Sequence, residues 1–173
     1  DATYWGLAPP DVCTAWVALS PATVASGAMK VIPGTLNGAQ LAHEDTFDEH
    51  NLLTRGQKLA EDPDLSQAIS LELATGEISL HHIGLVHGSD PNTTDDRRIG
   101  LAIRYIAPHV QQQGDIKDSA LLVRGEDRYG NFEHEKPPAA DLHPDALAYH
   151  AKVLKNMAKV KFAGTDHSYS DAV

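Results

Sequence analysis

The run Arg97 to Ile106 (RRIGLAIRYI) restricts the fold more than any other stretch of this chain. Apolar and other residues alternate along it with a period of two, the pattern of a β-strand whose two faces differ in chemistry. Ile99, Leu101, Ile103 and Tyr105 make one face, and Arg98, Gly100, Ala102 and Arg104 make the other. The second face sets two cations around two small residues. It suits neither a packed core nor plain solvation, and Gly100 and Ala102 leave room for a ligand in front of it. Arg97 shares the apolar side, so alternation separates it from Arg98.

Other segments agree with a mainly β chain. Val12 to Leu19 alternates, with Val12, Thr14, Trp16 and Ala18 opposed to Cys13, Ala15, Val17 and Leu19. Ala28 to Ile32 reads as a second strand closed by the turn Pro33-Gly34, and the short loop before it predicts antiparallel pairing of the two. Glu77 to Leu80 and Leu85 to Ser89 are further strands. Asp90 to Asp96 (DPNTTDD) is a turn cluster in which Asp95 and Asp96 cap the approach to Arg97. Residues 36–75 are polar and poorly periodic, which predicts a long excursion with a helical turn over Leu53 to Ala60. Such long loops commonly serve function. After Pro137-Pro138, Pro144 suits a first helical turn, and Leu147, Ala151, Leu154, Met157 and Ala158 recur at helical spacing. An amphipathic helix over 145–160 follows, then a frayed tail from Gly164. Residues 1–173 read as a single domain.

Composition excludes several classes. The 173 residues are 42% hydrophobic and 22% charged, ordinary for a globular protein. No apolar run reaches the ~18–20 residues of a membrane span. Fourteen basic against 24 acidic residues give a net charge of −10, which repels nucleic acid and anionic membrane in the absence of a basic patch. Cys13 is the sole cysteine; it forms no internal disulfide, reads as a small buried hydrophobe, and fits a reducing, cytoplasmic setting.

Ten histidines matter only where some converge. His87 ends an apolar strand, and Arg98 begins the small-residue face eleven residues later, placed across a hairpin from it. A fixed cation nearby disfavours imidazolium, which leaves a neutral ring able to bind metal, while a guanidinium grips a carboxylate bidentately. Asp1 could add a carboxylate. One carboxylate and one imidazole are two-thirds of the facial triad that holds non-haem Fe(II). His81-His82 also end a strand, but neighbours point to opposite faces, and both read as structural. His134, His143, His150 and His167 are assigned to solvent. A hydrolase triad is weak because no Gly-x-Ser-x-Gly elbow exists.

Several segments together resemble the phytanoyl-CoA dioxygenase family. They are Asp1-Ala-Thr-Tyr-Trp-Gly-Leu7, Thr14 to Leu19, Gly27 to Gly34, Ser79-Leu-His-His82, and His87-Gly-Ser89 with Pro91-Asn92, Arg98 and Arg104-Tyr105. The likeness spans roughly residues 1–110, with a weaker echo in Leu122 to Gly125 and the final helix. It implies a double-stranded β-helix, a jelly roll related to cupins, and an Fe(II)- and 2-oxoglutarate-dependent oxygenase that uses O2 to hydroxylate a small organic molecule. By the same resemblance Asp1 and His87 bind iron, and Arg98 clamps the far carboxylate of 2-oxoglutarate. Trp16 and Ser89 line that pocket, and Tyr4 and Trp5 wall the substrate side. The carboxylate at Asp1 favours hydroxylation over halogenation. The first iron histidine falls two residues before Asp1, outside this sequence, as do the family's first barrel strands. The jelly roll is therefore expected to be N-terminally incomplete, with an open sheet edge and a poorly covered Ile99–Tyr105 face, and the chain alone to be inactive. The alternatives are a metal-binding cupin-like module without turnover, an inert fragment, and a jelly-roll isomerase or hydrolase independent of 2-oxoglutarate.

Overall fold

The computed structural model describes residues 2–48, 50, 53 and 55–166. Two compact units make up the chain. One is Pro10–Glu44 with Lys58–Ala107; the other is Asp1–Pro9, Asp45–Gln57 and Pro108–Val173.

The first unit is built from β1 (Val12–Ala18), β2 (Met29–Val31), β3 (Ile69–Ser70), β4 (Ile78–His82), β5 (His87–Ser89) and β6 (Gly100–Ile106). They form two three-stranded antiparallel sheets, ordered β4-β1-β6 and β3-β2-β5. The chain changes sheet at every connection except β2 to β3, which pair with each other, and two sheets wound in this way make a jelly roll. β1 and β2 therefore do not pair, contrary to the sequence expectation. The Thr23–Ser26 turn between them is tied by hydroxyl bonds, Ser26 N to Thr23 Oγ1 and Thr23 N to Ser26 Oγ. Each strand is instead the central one of its own sheet, and the two sheets meet face to face.

Register decides which residues share a face. Thr14 lies between His81 and Arg104, Trp16 between Ser79 and Ala102, and Ala18 opposite Gly100. This face is the inner one: Val12, Thr14, Ala18 and His81 are all buried. The outer face carries Ile78, Leu80, Leu101, Ile103 and Tyr105, every one exposed. Leu80 is 71% exposed. Poor cover over the Ile99–Tyr105 side was expected; its extension onto β4 was not, because period alone does not say which strands are neighbours. Among the described residues, β4 and β6 each pair with β1 alone and β3 and β5 each with β2 alone, so both edges of each sheet carry no further strand. Cys13 lies on the outer face and is half-buried rather than buried.

Within 36–75 the chain makes strand pieces His43–Asp45 and Gln57–Leu59 and short 3-10 turns Thr35–Asn37 and Leu65–Gln67. The helical turn expected over Leu53–Ala60 does not form at its described residues. Gly56 has φ +60, outside the right-handed helical region, and its carbonyl accepts the Thr46 hydroxyl at 2.6 Å. Residues 49, 51, 52 and 54 lie outside the described set.

In the second unit, Leu7–Ala8 pairs antiparallel with Gln111–Gln112, and Ser119–Ala120 pairs parallel with Glu133–His134. The expected helix runs Pro144–Lys161, with Pro144 in its first turn, His143 Nδ1 accepting from the Asp145 amide, and Lys159 and Lys161 in the last turn. Those placements suit the orphan amides and the macrodipole. Val110, Phe132 and Phe162 are its buried apolar residues. Arg55 donates to Asp45 and to the Lys161 carbonyl, and its guanidinium lies 5.2 Å from the Tyr4 ring.

The open outer face makes a definite prediction. Leu80→Gln is expected to change unfolding free energy by no more than ~0.5 kcal/mol, as for ordinary surface substitutions. It is also expected to reduce concentration-dependent association, since large exposed apolar patches drive it. Chemical denaturation and sedimentation velocity check the two effects. Val12→Ala, at a buried site, is expected instead to cost about 2 kcal/mol, for two lost methyl groups and a residual cavity.

Candidate active site

The site is assembled between the two sheets of the first unit. β4 and β5 lie in different sheets, and the His81 and His87 ring centroids are 5.4 Å apart across the gap. His87 sits opposite Val31 in β5. Its Nδ1 lies 2.8 Å from the Leu85 carbonyl oxygen. A carbonyl only accepts, so Nδ1 carries the hydrogen, and in the neutral ring the lone pair resides on Nε2. Burial pushes the His87 imidazole to titrate below the ordinary histidine value, although the Leu85 bond opposes this. His81 is shifted the same way, chiefly by burial, then by the charges of His87 and Arg104. Both rings are therefore neutral near pH 7.

Arg98 is half-buried just before β6, with its guanidinium carbon 5.4 Å from the centroid of the Trp16 ring. Among the described residues it has no carboxylate partner. Its planar fork is thus held by stacking on indole and keeps its donors for a ligand. The placement of Arg98 on the Trp16 side agrees with the alternation. Two other expectations are corrected. Arg98 and His87 are not across a hairpin, because β5 and β6 belong to opposite sheets; Thr93, in the connecting loop, donates from its amide and hydroxyl to the Ala25 carbonyl, which anchors the crossing. The space above Gly100 is also taken: a Cβ there would run into the six-membered ring of Trp16. Glycine is required so that indole can lie flat beneath the guanidinium.

Ser89 falls on the same face of β5 as His87, two residues on, and is exposed. Tyr4 and the Trp5 carbonyl are held in the second unit, by Arg55 and by Gln112 Nε2 respectively. Asp1 lies outside the described residues. Among the described residues no three His, Cys, Asp or Glu side chains converge as a metal site.

Sequence reasoning missed three members of this surface. The Thr14 hydroxyl, the Ser79 hydroxyl and His81 Nδ1 are buried and have no hydrogen-bond partner among the described residues. All three project from the inner face of β4-β1-β6. Buried polar atoms are almost always paired, so three orphans on one face mark a place where a polar ligand belongs. The strand period of Val12–Leu19 could have put Thr14 beside Trp16, but only the register shows His81 and Ser79 next to them.

Comparison with known proteins gives the chain's family and fold. Residues 1–100 match the family described as Phytanoyl-CoA dioxygenase (PhyH). The chain belongs to that family. A protein of Caenorhabditis elegans named "Probable phytanoyl-CoA dioxygenase" is 30% identical over 106 residues, covering 61% of this chain and 34% of its own length. The non-heme monooxygenase ThoJ superposes in its apo form with a TM-score of 0.79 at 35% identity, over 92% of this chain and 57% of ThoJ. Its nickel complex gives 0.71 at 34% identity, over 92% of this chain and 56% of that one. The epimerase SnoN, solved with Fe3+, alpha ketoglutarate and nogalamycin RO, shares the fold at 24% identity and a TM-score of 0.52, over 82% of this chain and 53% of SnoN. The chain thus spans about a third of the nematode relative and little more than half of ThoJ.

Two outcomes test the geometry. A histidine held below its unfolded pKa binds fewer protons folded than unfolded, so it stabilises fully above that unfolded value, about 6.5, and the benefit is lost as pH falls. Urea midpoints should therefore be level above pH 7 and drop below about 6.5, and the drop should shrink in the His81→Asn/His87→Asn variant. Gly100→Ala should displace Trp16, seen as a changed tryptophan emission spectrum in a protein whose far-UV circular dichroism is unchanged.

Proposed function

We propose that this chain carries the co-substrate site and one iron ligand of a non-haem Fe(II)- and 2-oxoglutarate-dependent dioxygenase that hydroxylates a small organic substrate. The observation that carries the reading is the His87 ring, half-buried and oriented by Leu85 so that in its neutral form the lone-pair nitrogen is Nε2. Metal-ligating histidines are commonly oriented by such a bond from their other nitrogen. Arg98, stacked on Trp16 and without a carboxylate partner among the described residues, supports a carboxylate-bearing co-substrate. Orphaned polar atoms beside them fit a polar ligand.

In this reading His87 supplies Nε2 to iron, and the family motif gives Asp1 as the carboxylate ligand. Arg98 offers two parallel N–H donors to the distal carboxylate of 2-oxoglutarate, and Trp16 keeps that guanidinium from turning away. Ser89 adds a hydroxyl donor from the same face as His87. When bound, Fe(II) couples the oxidative decarboxylation of 2-oxoglutarate by O2 to oxygen insertion into a C–H bond. The acidic chain argues against nucleic-acid partners. The single cysteine supports a cytoplasmic setting, and no helix among the described residues is long and apolar enough to cross a membrane.

The test uses the full-length polypeptide. His87→Ala should abolish iron binding and 2-oxoglutarate-dependent O2 consumption. Arg98→Lys keeps the charge and loses the fork, so it should raise the 2-oxoglutarate requirement at least tenfold with iron content unchanged. Arg97→Lys should behave as wild type. Damage from Arg97→Lys with a silent Arg98→Lys would refute the assignment of the clamp; if neither matters, the protein is not an oxygenase of this type.

A further inference from the structure

The inner face of β4-β1-β6 holds more polar chemistry than a metal ligand and a carboxylate clamp require. Thr14 is 4% exposed and His81 7%. Thr14 sits directly between His81 and Arg104 in the register, and Ser79 lies two residues before His81 on the same face. Among the described residues, the Thr14 and Ser79 hydroxyls and His81 Nδ1 all lack partners. Neighbouring side chains do not satisfy them, although the hydroxyls could rotate freely. A buried hydroxyl without a partner destabilises the protein, so a face that keeps several of them is organised for something that arrives later.

We propose that Thr14, Ser79 and His81 form a second polar subsite, in the rows beside the Trp16–Arg98 pair, that binds the oxygens of a carboxylate. The chemistry of the donors gives the class. Two hydroxyls and an imidazole can all turn hydrogen toward an anion, and the next side chain in the same row, Arg104, is a cation. A cationic ligand would meet that charge and find no carboxylate among these residues. A purely apolar ligand would leave all three polar atoms orphaned. The carboxylate comes either from the metal-side end of a 2-oxo acid co-substrate or from the organic substrate itself. This deepens the function proposed above and rests on it for the identity of the co-substrate.

The sign of two measurements separates a binding role from a structural one. Thr14→Val keeps shape and Ser79→Ala removes one atom, so the double variant deletes unpaired hydroxyls without opening a sizeable cavity. If they await a ligand, the unliganded double variant should melt about 2–4 °C higher than wild type, the shift typical of ~1 kcal/mol at this chain length. Its affinity for a carboxylate should fall about tenfold, the usual cost of losing a hydrogen bond to a charged group. The experiment uses the nickel-loaded polypeptide described above, titrated calorimetrically with 2-oxoglutarate and separately with propionate, which has a carboxylate and no 2-oxo group. A tenfold loss for 2-oxoglutarate assigns the subsite to the co-substrate; a loss confined to propionate assigns it to a substrate carboxylate. Unchanged binding of both, or a lower melting temperature in the unliganded variant, overturns the proposal. Failure of wild type to bind 2-oxoglutarate at all refutes the oxygenase reading instead, and propionate binding with the unliganded melting shift still decides the subsite. His81→Asn, which retains a donor, should lose less affinity for the ligand than His81→Phe, a difference that simple packing at this position does not produce.

Discussion

The stacking of Arg98 on Trp16 is the contact around which the site is organised. An arginine fork can receive a carboxylate only if it is held still without being neutralised, and an aromatic face does this where an acidic side chain would not. Indole is large, and it fits in the sheet only because Gly100 gives up its side chain beneath it. The small residues of this strand thus serve the protein's own tryptophan before they serve any ligand.

The same face explains why the sheet looks inverted. In an ordinary sandwich the apolar side of a strand turns inward. Here the inward side of β6 carries Gly100, Ala102 and Arg104, and the apolar side, with Leu101, Ile103 and Tyr105, is exposed. The inner face is given over to chemistry and has little apolar surface of its own. His81 and His87 meet across the sheets, where an all-hydrophobic layer would otherwise lie. Burial keeps both rings neutral, which suits an imidazole whose use depends on its lone pair.

Membership of the phytanoyl-CoA dioxygenase family joins these observations to a reaction class, yet the residues carry the argument alone. An oriented neutral imidazole, an arginine with no acidic partner among the described residues and three orphaned polar atoms form one surface within a single compact unit. Together they are what supports the proposed binding of an anionic small molecule at this face.

Much of this was legible in the sequence because a strand's period fixes its faces. The alternation of RRIGLAIRYI separated Arg98 from Arg97, and Pro144 with the helical repeat located the last helix to within a residue at either end. The family motifs singled out His87. Period cannot give partnership, however. A strand's neighbours are chosen by contacts between residues far apart in the chain, and so the sequence misplaced β1 beside β2 and Arg98 across a hairpin from His87. It filled the space over Gly100 with a ligand when Trp16 fills it, and a histidine doublet does not reveal which ring turns inward or what it will face. Local composition determined which side chains share a face; only the tertiary structure decided which faces meet, since that depends on long-range pairing and burial that no short stretch of sequence encodes.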